Sequence, residues 1–324
     1  MTEMYPFRDH EAAYAGVGVT FCRAPLVLDP AGLDGAEVAI VGAPFDGGTS
    51  FRPGARFGPR AIRTAEDVGT PSSRPHINLG IDPFQALKIV DYGDVDCPPD
   101  LDACHASLQY AVSEILAQGV VPVVLGGDHS LALPVTRALG ETLGPGGYSV
   151  IHFDTHADTE PRGPRVTAHA MPFFRAVDEG HLLGRNLIQI GLRGAWLEPA
   201  VFDWMRSQGI TWHTMDEVED RGIEVVVAEA IELAGSRAPK TYLTVDVDVL
   251  DPAFAPGTGT PEPGGLTTRE LLRAVRAISL AVDLCAMDVV EVCPPYDPSG
   301  ITALAAHRIV LEAISAHALR RTNA

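Results

Sequence analysis

Short, dense apolar runs alternate along the chain with stretches whose apolar positions recur at helical spacing. Runs at residues 37–41, 87–90, 120–125, 150–153, 187–191, 210–214, 241–247 and 286–292 read as strands, most of them rich in Val, Ile and Leu. Helical spacing begins at residue 60 and near residue 131, and fills 101–118, 225–234, 271–281 and 302–319. Strands that are continuous apolar runs, regularly separated by helices, predict an α/β fold. The expected architecture is a three-layer α/β/α sandwich with a mainly parallel sheet covered on both faces. Residues 42–59 hold so many glycines and prolines that they predict a long fixed loop, in which Asp46 and Arg52 reach substrate or a subunit interface, or simply brace the loop. No linker, charge block or repeat divides the chain. Residues 37–324 therefore read as one domain, and residues 1–36 as an irregular arm lying on the surface or on a neighbouring subunit.

Composition changes the picture by exclusion. Hydrophobic residues make up 46% of the 324, enough for a substantial core, yet no run approaches the ~20 apolar residues that span a bilayer. The first ten residues carry charges and no signal-peptide core, so the cytoplasm is the default location. Five cysteines without a Cys-x-x-Cys pair speak against a disulfide framework or a thiolate metal site. A formal charge of −18 argues against nucleic acid and anionic membrane as partners.

Chemistry gathers where the strand patterns end. Asp154, His156 and Asp158 follow the run 150–153 at spacing two, which in an extended chain puts all three on one face. Asp246 and Asp248 repeat the device, with Val245, Val247 and Val249 opposite. His129 follows Gly126-Gly127-Asp128 at a strand-to-helix junction. Two carboxylates and an imidazole at one point repel or stay badly solvated without a cation, and mixed oxygen and imidazole donors suit a borderline divalent ion. His129, Asp154, His156, Asp158, Asp246 and Asp248 are too many donors for one zinc-like site and fit two ions bridged by shared carboxylates. Ligands in open α/β sheets bind at such carboxyl ends. His152, one strand step deeper, reads as a hydrogen-bonded core histidine, and Asp128 and Asp251 as residues orienting the ligands.

In this order and spacing, Gly126-Gly127-Asp128-His129-Ser130, Asp154-x-His156-x-Asp158 and Asp246-x-Asp248-x-x-Asp251-Pro252 resemble the ureohydrolase family. That family includes arginase, agmatinase, guanidinobutyrase, proclavaminate amidinohydrolase and formiminoglutamase, and the resemblance, nearest the agmatinase-like branch, covers nearly the whole chain. It implies an arginase-like fold with metals at the carboxyl ends of the strands and hydrolysis of a guanidino C–N bond by metal-activated water. By the same resemblance His129, Asp154, Asp158 and Asp246 hold one ion, and Asp154, His156, Asp246 and Asp248 the other. Manganese is the expected ion and nickel the alternative. Asp158 handles the water's proton, His169 shuttles a proton to the leaving amine, and Glu291 orients the guanidino group. A glycine usually follows the family's histidine; here Ala170 stands in its place, which either strains a positive φ or narrows the pocket.

The substrate is read only as a small guanidino compound, of agmatine or guanidino-acid type. Arg162 and Arg165, in the loop expected to overhang the site, favour a carboxylate-bearing substrate, although solvent exposure explains them equally well. Ala170 keeps guanidine, an alkylated guanidine or a biguanide in view. A hydrolase of formimino groups, releasing formamide, is a further option. The contrasting expectation is a non-catalytic or partner-dependent subunit of a hetero-oligomer with a paralogous chain. The resemblance itself implies a homo-trimer or homo-hexamer. Trp196 and Trp204 offer aromatic walls or plain packing.

Overall fold

The computed structural model describes residues 19–65, 75–161, 168–195 and 197–323. Among them are eight strands: β1 (Val38–Ala43), β2 (Ile89–Asp94), β3 (Val121–Gly126), β4 (Tyr148–Phe153), β5 (Leu187–Leu192), β6 (Thr211–Thr214), β7 (Lys240–Asp246) and β8 (Leu284–Val290). They form one sheet in the order β2-β1-β3-β8-β7-β4-β5-β6, and every recorded pairing is parallel. The period of two along each strand divides the core into two layers. Val38, Ile40, Ile151, Phe153, Leu243, Val245, Met287 and Val289 face one layer, which the helices Ile223–Arg237, Thr268–Ala281 and Ile301–Thr322 cover. Ala39, Val41, Val124, Val150, Leu187, Tyr242 and Ala286 face the other, under Leu101–Ala117 and Ala132–Leu143. Both faces are thus closed, and the sandwich expected from the apolar runs is the fold observed.

Two features place the site. The strands β3, β8, β7 and β4 are adjacent at the centre of the sheet, so their carboxyl ends open side by side. Each fully buried Val, Leu or Ile behind them contributes roughly 1.5–3 kcal/mol, which makes the centre a stiff platform. The edge strand β2 is closed by residues 25–27: Val27 N donates to Asp91 O at 2.8 Å and Asp91 N to Pro25 O at 2.9 Å. Behind that edge Arg63, from the helix Gly58–Thr64, is fully buried. Its Nε and Nη2 donate to the two Asp91 oxygens at 2.9 Å each, and Nη1 pairs with Asp94. The same Asp91 oxygens accept from Phe21 N and Gly93 N. Among the described residues no helix is long and apolar enough to cross a membrane.

Candidate functional site

The acidic segments are not the extended strands that spacing two suggests. β4 ends at Phe153, and Asp154 Oδ1 accepts the His156 amide at 2.6 Å, which turns the chain at once. Asp158 has a φ of 52°, in the left-handed region, where Asp is tolerated better than most residues. β7 ends at Asp246, whose Oδ1 caps a 3-10 turn, Val247–Val249, by accepting from Asp248 N at 2.8 Å. The side chains converge because the carboxylates bond their own backbone two residues on, a local preference that outweighs strand extension. Val245, Val247 and Val249 nevertheless share one apolar layer, as expected.

His129 opens the 3-10 turn His129–Leu131 after β3, capped by Asp128, whose Oδ1 accepts Ser130 N at 3.0 Å. Gly127 is required for closeness: a Cβ there would lie 1.7 Å from Phe45 O. His129 Nδ1 is 2.9 Å from Asp154 Oδ2, 3.0 Å from Asp158 Oδ2 and 3.4 Å from Asp246 Oδ2. Its Nε2 lies 2.9 Å from Thr244 Oγ1, which fixes the ring. His156 Nδ1 is 3.1 Å from Asp248 Oδ2 and 3.5 Å from Asp154 Oδ1.

Among the described residues two groups of donors able to hold a metal ion result: His129, His152, Asp154 and Asp158, and Asp154, His156 and Asp248. Asp154 belongs to both. Asp246 belongs to neither group so defined, although its Oδ2 faces His129. His152 enters the first group by distance, yet its hydrogen bonds make it a donor to Asp154. Gln189 Nε2 is 2.6 Å from Ala157 O and 2.9 Å from His152 Nδ1. Only the amide nitrogen can face a carbonyl, so His152 Nδ1 accepts and its Nε2–H donates to Asp154 Oδ2 at 2.8 Å. That leaves no lone pair for a metal.

Electrostatics agree with a cation site. Burial, and then Asp248 and Asp154, push Asp246 well above the ordinary carboxylate range; burial and Asp154 push Asp248 to about 6. Burial opposes charging His129 and His156, but their acid partners hold both well above the usual imidazole range. Without an ion the cluster thus retains protons that divalent cations would displace, as expected for a donor set that fits metal.

His169 sits in the 3-10 turn Ala168–Ala170. Its Nδ1 is 3.0 Å from Glu291 Oε1, which also accepts the His129 amide at 2.9 Å. Its Nε2 accepts Ser50 N–H at 3.1 Å and lies 2.9 Å from Ser50 Oγ. The neutral ring is therefore met by a donor and the charged ring by a hydroxyl able to accept. Glu291 is buried with a φ of 63°, and its Oε2 has no hydrogen-bond partner among the described residues. Ala170 has no positive φ, so its methyl narrows the pocket and strains nothing.

The donors open on a cavity of about 560 Å³, within the range of small-molecule sites. His156, Asp158, His169 and Asp246 line its inner end, while Glu291 lies behind His169. Other expected residues are elsewhere. Asp251 binds the amides of Ala253, Gly264 and Gly265 and orients a loop rather than the donors. Asp46 braces its own loop through Gly54 N and Arg56, and Arg52 lies between the rings of Phe51 and Tyr296. Trp204 packs on Phe174, with ring centroids 4.8 Å apart. Arg162, Arg165 and Trp196 lie outside the described residues. Sequence reasoning missed Ser50, Thr244, Gln189 and Trp212; only Thr244, two residues before Asp246, carried a positional signal.

Residues 36–315 match the arginase family. The chain is 40% identical over 302 residues to the guanidinopropionase of Pseudomonas aeruginosa, covering 92% of this chain and 91% of that protein. It is 39% identical over 305 residues to the agmatinase of Chromobacterium violaceum, covering 93% and 89%. The structure of proclavaminate amidinohydrolase from Streptomyces clavuligerus is similar with a TM-score of 0.85 and 38% identity, over 95% of this chain and 99% of that one. Sequence, fold and donor clusters coincide, and the chain belongs to the arginase family of hydrolases acting on C–N bonds of guanidino compounds.

Proposed function

We propose that the protein hydrolyses the guanidino C–N bond of a small compound to urea, or a substituted urea, and an amine, with two divalent ions per chain. The observation that carries this reading is the pair of donor groups sharing Asp154 at the inner end of the cavity. His129, Asp154, Asp158 and Asp246 hold one ion, and Asp154, His156, Asp246 and Asp248 the other. Manganese is the proposed ion, with nickel the alternative for the same oxygen and nitrogen donors. When bound, such ions acidify water and polarise the carbon it attacks.

The chain's own residues do the rest. Asp158 receives the proton that water loses. Glu291 Oε2, a buried acceptor without a partner among the described residues, takes a guanidino N–H and fixes the carbon beside the donors. His169 delivers a proton to the departing amine, and its two Ser50 contacts serve both protonation states. Water's oxygen remains on the carbon and both its protons end on the departing nitrogen, so a guanidinium and water balance to urea and an alkylammonium. Residues 37–324 form the catalytic domain, in a cytoplasmic homo-trimer or homo-hexamer. Of the segment expected as an arm, residues 19–36 pack on that domain through Phe21, Leu33 and the pairing with β2, and residues 1–18 lie outside the described residues.

Guanidinopropionase and agmatinase are similar to this chain at nearly equal identity, so likeness alone assigns no tail chemistry. The test is urea release by manganese- and nickel-loaded protein from a panel of amine-tailed, acid-tailed and unsubstituted guanidines. Urea from at least one supports the reading. Formamide release from a formimino compound, with no urea from any guanidine, would overturn it.

A further inference from the structure

The cavity has two unlike ends. Beyond the donor clusters its wall is apolar: Leu192 at the end of β5, Leu197, Phe202 on the helix Pro199–Ser207, and Trp212 on β6. The Phe202 and Trp212 rings lie 6.1 Å apart, centroid to centroid, and make one aromatic corner. This surface suits the methylene stem or ring of a tail.

Away from the donor clusters and His169, two charged side chains among the described residues line the cavity, and they differ in availability. Arg193 is committed to the fold. Its Nε donates to Glu262 O and Pro263 O, its Nη1 to Gly191 O and Val249 O, and its Nη2 to Asp248 O, Leu250 O and Glu262 O. It braces the loop behind the wall and has no donor left for a ligand. Glu160 is the opposite case. Its backbone amide donates to Ala170 O at 2.9 Å, which fixes the residue in the wall, while its carboxylate makes no hydrogen bond or ion pair with the described residues. Its acidic neighbours, Asp158 and Glu198, share its charge.

We propose that Glu160 is the specificity-determining residue of this pocket, and that it selects guanidino compounds whose apolar stem ends in a cation. The inference rests on the guanidine-hydrolase reading above. An ammonium at the tail's end meets a carboxylate with no partner among the described residues and the Phe202 ring, while Trp212, which already carries Arg206 over its ring at 5.8 Å, supplies apolar wall. A carboxylate at the same place meets a like charge and, among the described residues of the wall, hydroxyls but no arginine or lysine free of the fold. The sequence-level expectation from Arg162 and Arg165 points to the opposite tail, so the two assignments compete directly.

Three guanidines with the same four-carbon stem, ending in an amine, a methyl group or a carboxylate, separate them with manganese-loaded protein. The amine compound should exceed the methyl compound about tenfold in kcat/KM, with the carboxylate compound lowest. Glu160→Gln should raise KM for the amine compound about tenfold and bring its kcat/KM to within about threefold of the methyl compound. A carboxylate compound that outperforms the methyl compound would overturn the assignment. So would an amine preference that survives Glu160→Gln but is lost in Arg162→Ala/Arg165→Ala. If no compound releases urea, the hydrolase reading fails by itself. The tail assignment is then read by calorimetric binding of the same three compounds, where equal or reversed affinities overturn it.

Discussion

Glu291→Gln isolates the pair that links the cavity to the donor cluster. The change keeps the side chain's shape and removes the charge facing His169 Nδ1 at 3.0 Å. Burial tends to lower the His169 pKa, but hydrogen bonding and charge from Glu291, helped by Asp158 and Asp128, raise it to about 9. At pH 7 that value leaves about 99% of the rings protonated, against about a quarter at the ordinary 6.5. A return from about 9 to the ordinary 6.5 corresponds to about 3 kcal/mol of differential interaction. The sign for stability follows. A raised folded-state pKa stabilises fully below about 6.5, and that contribution is lost as pH rises through about 9. In metal-free protein, NMR titration of the His169 ring should show about 9 in wild type and 6.5 or lower in Glu291→Gln. Unfolding free energies should converge between pH 7 and 10. Adding manganese should lower the wild-type value, because nearby positive charge opposes the imidazolium. A His169 that titrates near 6.5 in wild type, or near 9 in both proteins, would refute the reasoning.

Three further outcomes are expected. Burial, then Arg137 and Arg175, hold His105 down at about 3, and burial with Arg321 holds His317 down at about 4. The unfolded chain therefore takes up protons first, and stability falls as pH drops below 6.5, by about 2 kcal/mol per histidine at pH 5; replacing both with leucine should flatten the acid limb of chemical denaturation. Asp91→Ala strands the buried Arg63 charge and frees two buried amides, so it should cost about 3–5 kcal/mol in unfolding free energy, and a loss below ~1 kcal/mol would show that Asp94 alone satisfies Arg63. Ala170→Gly should lower stability by about 0.5–1 kcal/mol, because no positive φ is relieved there; a gain in melting temperature would mean that alanine is strained.

The sheet was legible because both its faces are covered: parallel strands such as β4 and β8 are buried at every position and read as mainly apolar runs, interrupted by Ser149 and His152 in β4 and by Asp288 in β8. The short helices Pro172–Asp178 and Met215–Arg221 were not, since about two turns carry too little periodicity to register. The donor residues stood out by type and place, but their geometry did not. Spacing two suggested a flat strand face, whereas Asp154 and Asp246 turn the chain by bonding the amides two residues on. Ser50 and Trp212 reach the cavity from a loop and from an outer strand far off in sequence, a juxtaposition that only the folded sheet creates. Glu160 carried no signal in the sequence, because its lack of a partner among the described residues is a property of the pocket.

The central claim is that two ions, joined through Asp154, make the site. Manganese titrated into metal-free protein, with bound metal and urea release followed together, tests it most directly. The account predicts activity that saturates at two ions per chain, and an Asp154→Asn variant that binds neither ion firmly and releases no urea. Full turnover by metal-free protein, or saturation at one ion with Asp154→Asn unimpaired, would contradict it.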